Sequence, residues 1–298
     1  MKRTSASLLS RQRKIRSSRL SRPLTLLLVL SSLIGCAGTP DREQIPQFRQ
    51  GAATANQQTL KAFSEVNSFL RTHQVDRVVA QQSISESDFL TVLANEDVAK
   101  WSIAFSILDS YAKSLEALLD PNHRKDAQAD LVKLGETIEA LDGKALPSSA
   151  AGGFATLGGL LIQLKSETDA MEAIRKADPG VQATLDSMME TIGGSRTDGV
   201  RSITHTAWQT RLGQIRADFR RARNTDEKRT VALRFVAALD QRDAQDASLS
   251  ALHRSLGLLA TAHSEIAAGR KEGAQGVIEI LQREYASYQT IVDARKKP

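Results

Sequence analysis

Apolar residues recur along most of the chain at alternating steps of three and four, the spacing that places side chains on one face of an α-helix. The longest such stripe occupies residues 98–119 and would follow one helix for about six turns. Its members are Val98, Trp101, Phe105, Leu108, Ala112, Leu115 and Leu119. Strand-type alternation of apolar and polar residues is hard to find. The pattern therefore predicts a protein built from amphipathic helices.

Four further stripes have the same spacing and are separated by turn-forming residues. The stripes are Leu131, Leu134, Ile138 and Leu141; Val181, Leu185, Met188 and Ile192; Trp208, Leu212, Ile215 and Phe219; and Leu249, Leu252, Leu256, Leu259, His263 and Ile266. The turn signals between helices are Asp120-Pro121-Asn122, Asp142-Gly143, Asp178-Pro179-Gly180 and Gly193-Gly194. Such stripes allow helices to pack against one another at shallow angles.

These signals together predict eight helices and an all-α fold. The predicted helices occupy about residues 50–74, 86–119, 124–142, 147–177, 180–192, 199–223, 226–268 and 271–295. We predict an elongated, antiparallel multi-helix bundle with coiled-coil-like seams. The pattern leaves open whether the bundle is one domain or two.

The first 35 residues follow a different pattern, that of an export signal. They contain eight basic residues and no acidic one, and they end in the apolar run LTLLLVLSSLI. This run is shorter than the roughly 20 residues that a helix needs to cross a bilayer. A basic segment followed by a short apolar run is the layout of a secretory signal peptide. The only cysteine of the chain, Cys36, comes directly after it.

The four residues Leu33-Ile34-Gly35-Cys36 resemble the lipobox of bacterial lipoproteins. The resemblance covers about the first 36 residues, so it implies processing rather than an activity. It implies cleavage between Gly35 and Cys36, diacylation of the Cys36 thiol and acylation of the new amino terminus. Three acyl chains would make the attachment effectively permanent, because two already anchor a protein stably.

The resemblance also implies a location and a division of the chain. Ala37 follows the cysteine, and in enteric lipoproteins an aspartate there favours the inner membrane. The expected location is therefore the periplasmic face of the bacterial outer membrane, with the lipid anchor as the membrane contact. We expect a signal peptide at residues 1–35, the lipidated cysteine and a tether at 36–50, and the helical bundle at 51–298.

Removing the leader changes the charge of the protein. The chain has 40 basic and 34 acidic residues, and without the eight basic residues of the leader 32 basic residues remain. Nucleic-acid binding, which depends on a basic surface, therefore has little support. Since the mature chain has no second cysteine, it forms no internal disulfide.

Two segments are candidates for interactions. Residues 145–164, ALPSSAAGGFATLGGLLIQL, carry no charge, and their paired glycines suit either a tightly packed helix or insertion into a bilayer or partner. Residues 196–234 contain ten basic residues against four acidic ones. That segment suits lipid headgroups, cell-wall carboxylates or an acidic partner, or else a solvated face paired with acidic helices such as 167–190. Its candidate interaction residues are Arg211, Arg216, Arg220 and Arg223.

Two kinds of single residue are further candidates. His263 occupies an apolar position of its stripe, where it is either a hydrogen-bonded core residue or a functional base or ligand. If it is only a tolerated core residue, leucine there should leave stability equal or raised. Trp101 and Trp208 fall on apolar stripes, which favours core anchors over the lining of a pocket.

The sequence contains no recognisable catalytic or cofactor motif. We find no HExxH, GxSxG, P-loop or Gly-rich dinucleotide turn, and we predict no catalytic residue, metal site or cofactor. The favoured interpretation is an envelope scaffold or partner-binding module with an unidentified protein partner. A small-ligand or lipid binder with a cavity between helices near 147–164, and a cell-wall enzyme without a recognisable motif, remain as alternatives.

Overall fold

The computed structural model describes residues 43–89, 93–141, 145–166 and 169–294. Within these ranges the chain forms eight α-helices, two short 3₁₀ turns and no strand, which confirms the predicted all-α fold. The helices are α1 (Gln44–Gln81), α2 (Asn95–Leu118), α3 (Arg124–Ala140), α4 (Ala151–Ile162), α5 (Ala170–Ile192), α6 (Gly199–Arg221), α7 (Thr225–Ala267) and α8 (Lys271–Ala294). The predicted signal peptide, Gly35 and Cys36 lie outside the described residues.

The helices pack as a bundle in which most neighbours in sequence are also neighbours in space. Contacts join α1 to α2, α2 to α3, α3 to α4, α4 to α5, α6 to α7 and α7 to α8. α7 also contacts α1 and α5, so it lies at the centre of the bundle. One main core draws residues from all eight helices, and a smaller cluster fills the space between α6 and α7.

The predicted stripes face the interior with one exception. Leu108, Leu185 and Leu256 are completely buried, as are most other members of their stripes. Phe219, the last member of the α6 stripe, is 42% exposed. The α6 stripe therefore leaves the core at this residue.

The bundle begins earlier than the sequence indicates. α1 starts at Gln44, and Ile45 and Phe48 are each only 1% exposed. Pro46 does not interrupt the helix because it lies in the first turn, where a backbone N–H has no helical partner to lose. The predicted tether boundary at residue 50 thus falls inside α1.

The break predicted at Asp178-Pro179-Gly180 is wrong, since α5 continues through it. Pro179 removes one backbone hydrogen bond, that to the carbonyl of Arg175. Both residues are exposed, so water can satisfy that carbonyl. Gly180 is needed for packing instead: a Cβ atom there would lie 2.6 Å from the Cα of Leu157 on α4.

A different break divides the predicted helix 147–177. α4 ends at Ile162 and a 3₁₀ turn follows at Gln163–Ser166. Asp169 then caps α5, because its side chain accepts a hydrogen bond of 3.0 Å from the backbone N–H of Glu172. An Asp followed three residues later by Glu is a recognisable helix start, so the signal was present in the sequence.

The charge-free segment 145–164 is used for close helix packing. A Cβ atom on Gly153 would lie 2.5 Å from the backbone nitrogen of Thr184 in α5. On the other side, a Cβ atom on Gly135 of α3 would lie 2.7 Å from the carbonyl oxygen of Gly158. α4 is therefore held between α3 and α5 at distances that only glycine permits, as the tightly-packed-helix interpretation expects.

Candidate functional site

His263 lies in the core between two hydrogen-bonding side chains. Its Nε2 atom is 2.9 Å from the hydroxyl of Tyr111 on α2, and its Nδ1 atom is 2.7 Å from Oδ1 of Asp178 on α5. Its ring also packs against Phe48 of α1, with centroids 5.2 Å apart. The histidine itself is 1% exposed, whereas the side chain of Asp178 is 22% exposed. The three polar groups thus connect the core to the surface.

The partners determine how the protons are arranged. A carboxylate only accepts hydrogen bonds, so Nδ1 of His263 donates to Asp178. In the neutral ring Nε2 then accepts from the hydroxyl of Tyr111. Asp178 also accepts hydrogen bonds of 3.1 Å from Gln182 and from Ser264. Every polar atom of the imidazole is therefore satisfied.

The environment shifts the pKa values of both partners. Complete burial, reinforced by the charge of Asp178, raises the pKa of Tyr111 well above its ordinary value of 10.0. Burial acts to raise the pKa of Asp178 as well, whereas the hydrogen bond from His263, and the charge of that ring when it is protonated, act to lower it. With the bonds from Gln182 and Ser264, they hold the pKa of Asp178 below its ordinary value of 3.8. Asp178 is therefore ionised and Tyr111 protonated at neutral pH.

This geometry favours a structural role for His263. Both ring nitrogens are bonded to side chains of the protein, so neither is left to bind a metal ion or to take a proton from a substrate. The neighbouring hydroxyl of Tyr111 is fully buried. The sequence predicts neither partner: Tyr111 lies 152 residues from His263, and Asp178 lies 85 residues away in a predicted turn.

The basic segment 196–234 divides into two parts, of which the first is structural. Arg201 is 8% exposed and donates to Asp246 of α7 at 3.0 Å, and Arg196 donates to the same carboxylate at 2.9 Å. Burial acts to raise the pKa of Asp246, but these two arginines outweigh it and lower that pKa. The pairs hold the turn before α6 against α7.

Arg211, the first of the predicted interaction residues, also belongs to this structural part. Its guanidinium lies 3.6 Å from Asp76 of α1 and 5.8 Å from the ring centroid of Trp208. The ring of Trp208 stacks on that of Phe69, with centroids 4.1 Å apart. Its Nε1 atom donates a hydrogen bond of 2.6 Å to Oε1 of Gln245. Like Trp101, it is 3% exposed, so both tryptophans are core anchors.

The other three predicted residues, Arg216, Arg220 and Arg223, lie around the turn between α6 and α7. We call residues 216–237 the α6–α7 tip. It contains seven basic residues against three acidic ones. The basic residues are Arg216, Arg220, Arg221, Arg223, Lys228, Arg229 and Arg234.

Asp218 and Glu227, two of the three acidic residues of the tip, accept hydrogen bonds, and among the described residues four of its cations have no carboxylate partner. Asp218 accepts hydrogen bonds from Arg221 and Arg234. Glu227 accepts from the backbone of Arg223 and from Asn224 at the start of α7. Among the described residues, no carboxylate pairs with the side chains of Arg220, Arg223, Lys228 or Arg229.

The tip also exposes large apolar side chains. Leu233 is 64% exposed, Val236 is 53% exposed and Phe219 is 42% exposed. Behind them, the cluster of Trp208, Leu212, Ile215 and Ala238 is small and separate from the main core. Exposed apolar groups beside unpaired cations distinguish this end of the bundle from a merely solvated face.

The tip and the start of α1 lie at opposite ends of the bundle. In the second half of α1, Phe69 contacts Trp208 of α6 and Asp76 contacts Arg211 of α6. Because the contacts follow in the same order along both helices, α6 runs parallel to α1 toward the tip. α7 then returns to Phe48, near the start of α1. Its 43 residues, at 1.5 Å each, span about 64 Å.

No protein-family model, curated protein or solved structure matches the chain. Among the described residues, no group of three or more His, Cys, Asp or Glu side chains is placed to hold a metal ion. In that part of the chain, no helix has the length and apolar character needed to cross a bilayer.

Proposed function

We propose that this chain is a lipid-anchored bundle on the periplasmic face of the bacterial outer membrane that holds another envelope component through the α6–α7 tip. The anchor is supported by the signal-peptide layout and by the lipobox-like residues that precede Cys36. The holding role is supported by one observation: unpaired cations and exposed apolar side chains share one end of the bundle.

The two alternatives have less support. A ligand cavity near residues 147–164 would need space around α4, but Gly153 and Gly158 bring that helix into direct contact with its neighbours. A cell-wall enzyme would need accessible acid–base groups. His263 is the candidate base that the sequence singles out, and both nitrogens of its ring are bonded to the protein itself.

Photochemical labelling from the tip tests the proposal. In the processed protein Cys36 would be acylated, so Leu233→Cys introduces the only free thiol of the mature chain. A benzophenone attached to this thiol reacts on illumination with the C–H bonds of whatever it contacts, protein or lipid. We expect an adduct in intact cells that disappears when Arg220, Arg223 and Arg229 are changed to Glu.

The matched control is Lys133→Cys, at an exposed residue of α3. It should give no specific adduct. The same adduct from both labelled residues, or none from Leu233→Cys, would show that the tip does not hold a component.

A further inference from the structure

We propose that the α6–α7 tip binds the surface of a bilayer that carries anionic phospholipid headgroups. This inference rests on the proposed function, because it names the component that the tip holds. Two features of the tip support it: its cations without a carboxylate partner among the described residues, and its exposed apolar side chains.

The cations are available to anionic headgroups. Arg220, Arg223, Lys228 and Arg229 are exposed and have no carboxylate partner among the described residues. Of the three carboxylates of the tip, Asp218 pairs with two arginines and Glu227 accepts from a backbone N–H at the start of α7. Asp226 remains, so the four cations outnumber it. A cluster of four or more Lys and Arg side chains is typical of a surface that binds anionic lipid.

The apolar side chains lie where a bilayer interface would accept them. Arg229, Leu233 and Val236 are spaced by four and three residues, so they share one face of α7. A helix face that combines apolar side chains with flanking cations is typical of helices lying in a membrane interface. An anionic cell-wall polymer would account for the cations, but it would not account for the exposed Leu233 and Val236.

The exposed part of the tip is long and continuous. Every residue from 223 to 237 is exposed except Val231 and Phe235, which are half-buried against α6. Such continuous exposure suits an extended partner such as a bilayer surface.

The test uses the processed, lipidated protein, with its anchor inserted in vesicles of pure phosphatidylcholine. Dye-labelled second vesicles, either of phosphatidylglycerol or of phosphatidylcholine, are added, and the dye captured by the proteoliposomes is measured. We expect capture of the anionic vesicles only, decreasing as salt is raised. Changing Arg220, Arg223 and Arg229 to Glu should weaken capture by about 100-fold, because each cation contributes on the order of fivefold at an anionic surface.

Two further variants distinguish an effect of the tip residues from an effect of the net charge of the protein. Changing Arg124, Lys125 and Lys133 to Glu alters the charge equally, but on exposed residues of α3, and should leave capture within about twofold of the native protein. Changing Leu233 and Val236 to Gln should weaken the capture that survives at high salt. Equal losses in the two charge variants, or equal capture of both vesicle types, would overturn the proposal.

The outcomes also separate this inference from the proposed function. If anionic vesicles are not captured while the benzophenone at residue 233 labels a protein, the lipid assignment is wrong and the holding role stands. If neither capture nor labelling occurs, both fail.

Discussion

His263 is hydrogen-bonded to two side chains, so its replacement affects three residues. In the His263→Leu protein the fully buried hydroxyl of Tyr111 loses its acceptor, and Asp178 loses a donor. A buried polar group left without a partner costs about 1–3 kcal/mol. We therefore expect His263→Leu to lower the free energy of unfolding by that amount in urea titrations, the reverse of what its apolar register alone predicts.

The double variant supplies the control for this prediction. Adding Tyr111→Phe to His263→Leu removes the orphaned hydroxyl, and replacing both partners by apolar groups can be nearly neutral. We expect the double variant to recover part of the lost stability. A His263→Leu protein as stable as the native one would show that the network contributes nothing.

Because Asp178 belongs to this network, the free energy of unfolding should depend on pH in the acid range. Its folded-state pKa lies below the ordinary value of 3.8, so its contribution to stability is complete above that pH. The contribution is lost as the pH falls through the lower folded-state pKa. We expect the free energy of unfolding of the native protein to decrease below about pH 3.8, and Asp178→Asn to flatten that decrease. Identical pH profiles for the two proteins would contradict this assignment.

At the residue scale the sequence identified the unusual residue but not its environment. A histidine in an apolar stripe requires a hydrogen-bond partner, and that much follows from physical chemistry. Its partners come from α2 and α5, at sequence separations of 152 and 85 residues, so no local pattern indicates them. Arg211 was likewise not separable from Arg220, because its pairing with Asp76 depends on how α6 lies against α1.

At the scale of elements, α4 shows how glycine sets the spacing between helices. Gly152 and Gly153 are adjacent, yet a Cβ atom on Gly153 would meet the backbone of α5, whereas one on Gly152 would meet no atom within 4 Å. We expect Gly153→Ala to lower the free energy of unfolding by about 1–3 kcal/mol through overpacking. Gly152→Ala should be neutral or stabilising by up to about 1 kcal/mol, because alanine favours the helix.

Denaturant titrations of the two variants check this prediction. Both substitutions add one methyl group at the start of the same helix, so differences in helix propensity largely cancel. Equal effects of the two substitutions would show that α4 and α5 do not approach as closely as described.

The helices could be predicted from the sequence where a single physical effect determines the structure. The 3,4 stripes predicted which faces are buried, because burial of an apolar face dominates the packing of an amphipathic helix. The breaks were less predictable because local signals competed with packing. Pro179 and Gly180 form a turn signal by themselves, yet α5 continues. Arg175 and Pro179 are exposed residues, so water can satisfy the carbonyl that Pro179 leaves unbonded, and Gly180 allows α4 to pack closely.

At the scale of the whole molecule, α7 joins two regions of unequal burial. Residues 249–266 run through the main core, whereas the half-buried residues of 225–237, Val231 and Phe235, pack on the small cluster shared with α6. Segments with little buried apolar surface open at lower free energy than the rest of a protein. We expect native-state hydrogen exchange to be much faster in residues 225–237 than in residues 249–266.

A core variant of the small cluster tests whether the two regions are independent. Leu212 is fully buried in that cluster, so Leu212→Ala should speed exchange further in residues 225–237 and leave residues 249–266 nearly unchanged. Exchange of all of α7 in one step, in either protein, would show a single cooperative unit.

The anchor is a property of the whole molecule because it would determine where the bundle acts. Cys36 is the only thiol of the chain, so acylation at cysteine has one possible site. We expect Cys36→Ser to abolish incorporation of labelled palmitate and to block cleavage after Gly35, and both changes are visible on one gel. Among the described residues the first buried one is Gln44, eight positions after Cys36, so we expect this substitution to leave the helical circular dichroism spectrum of the bundle unchanged. Palmitate incorporation that persists in Cys36→Ser would exclude the lipobox interpretation, whereas its loss with an unchanged spectrum would separate anchoring from folding.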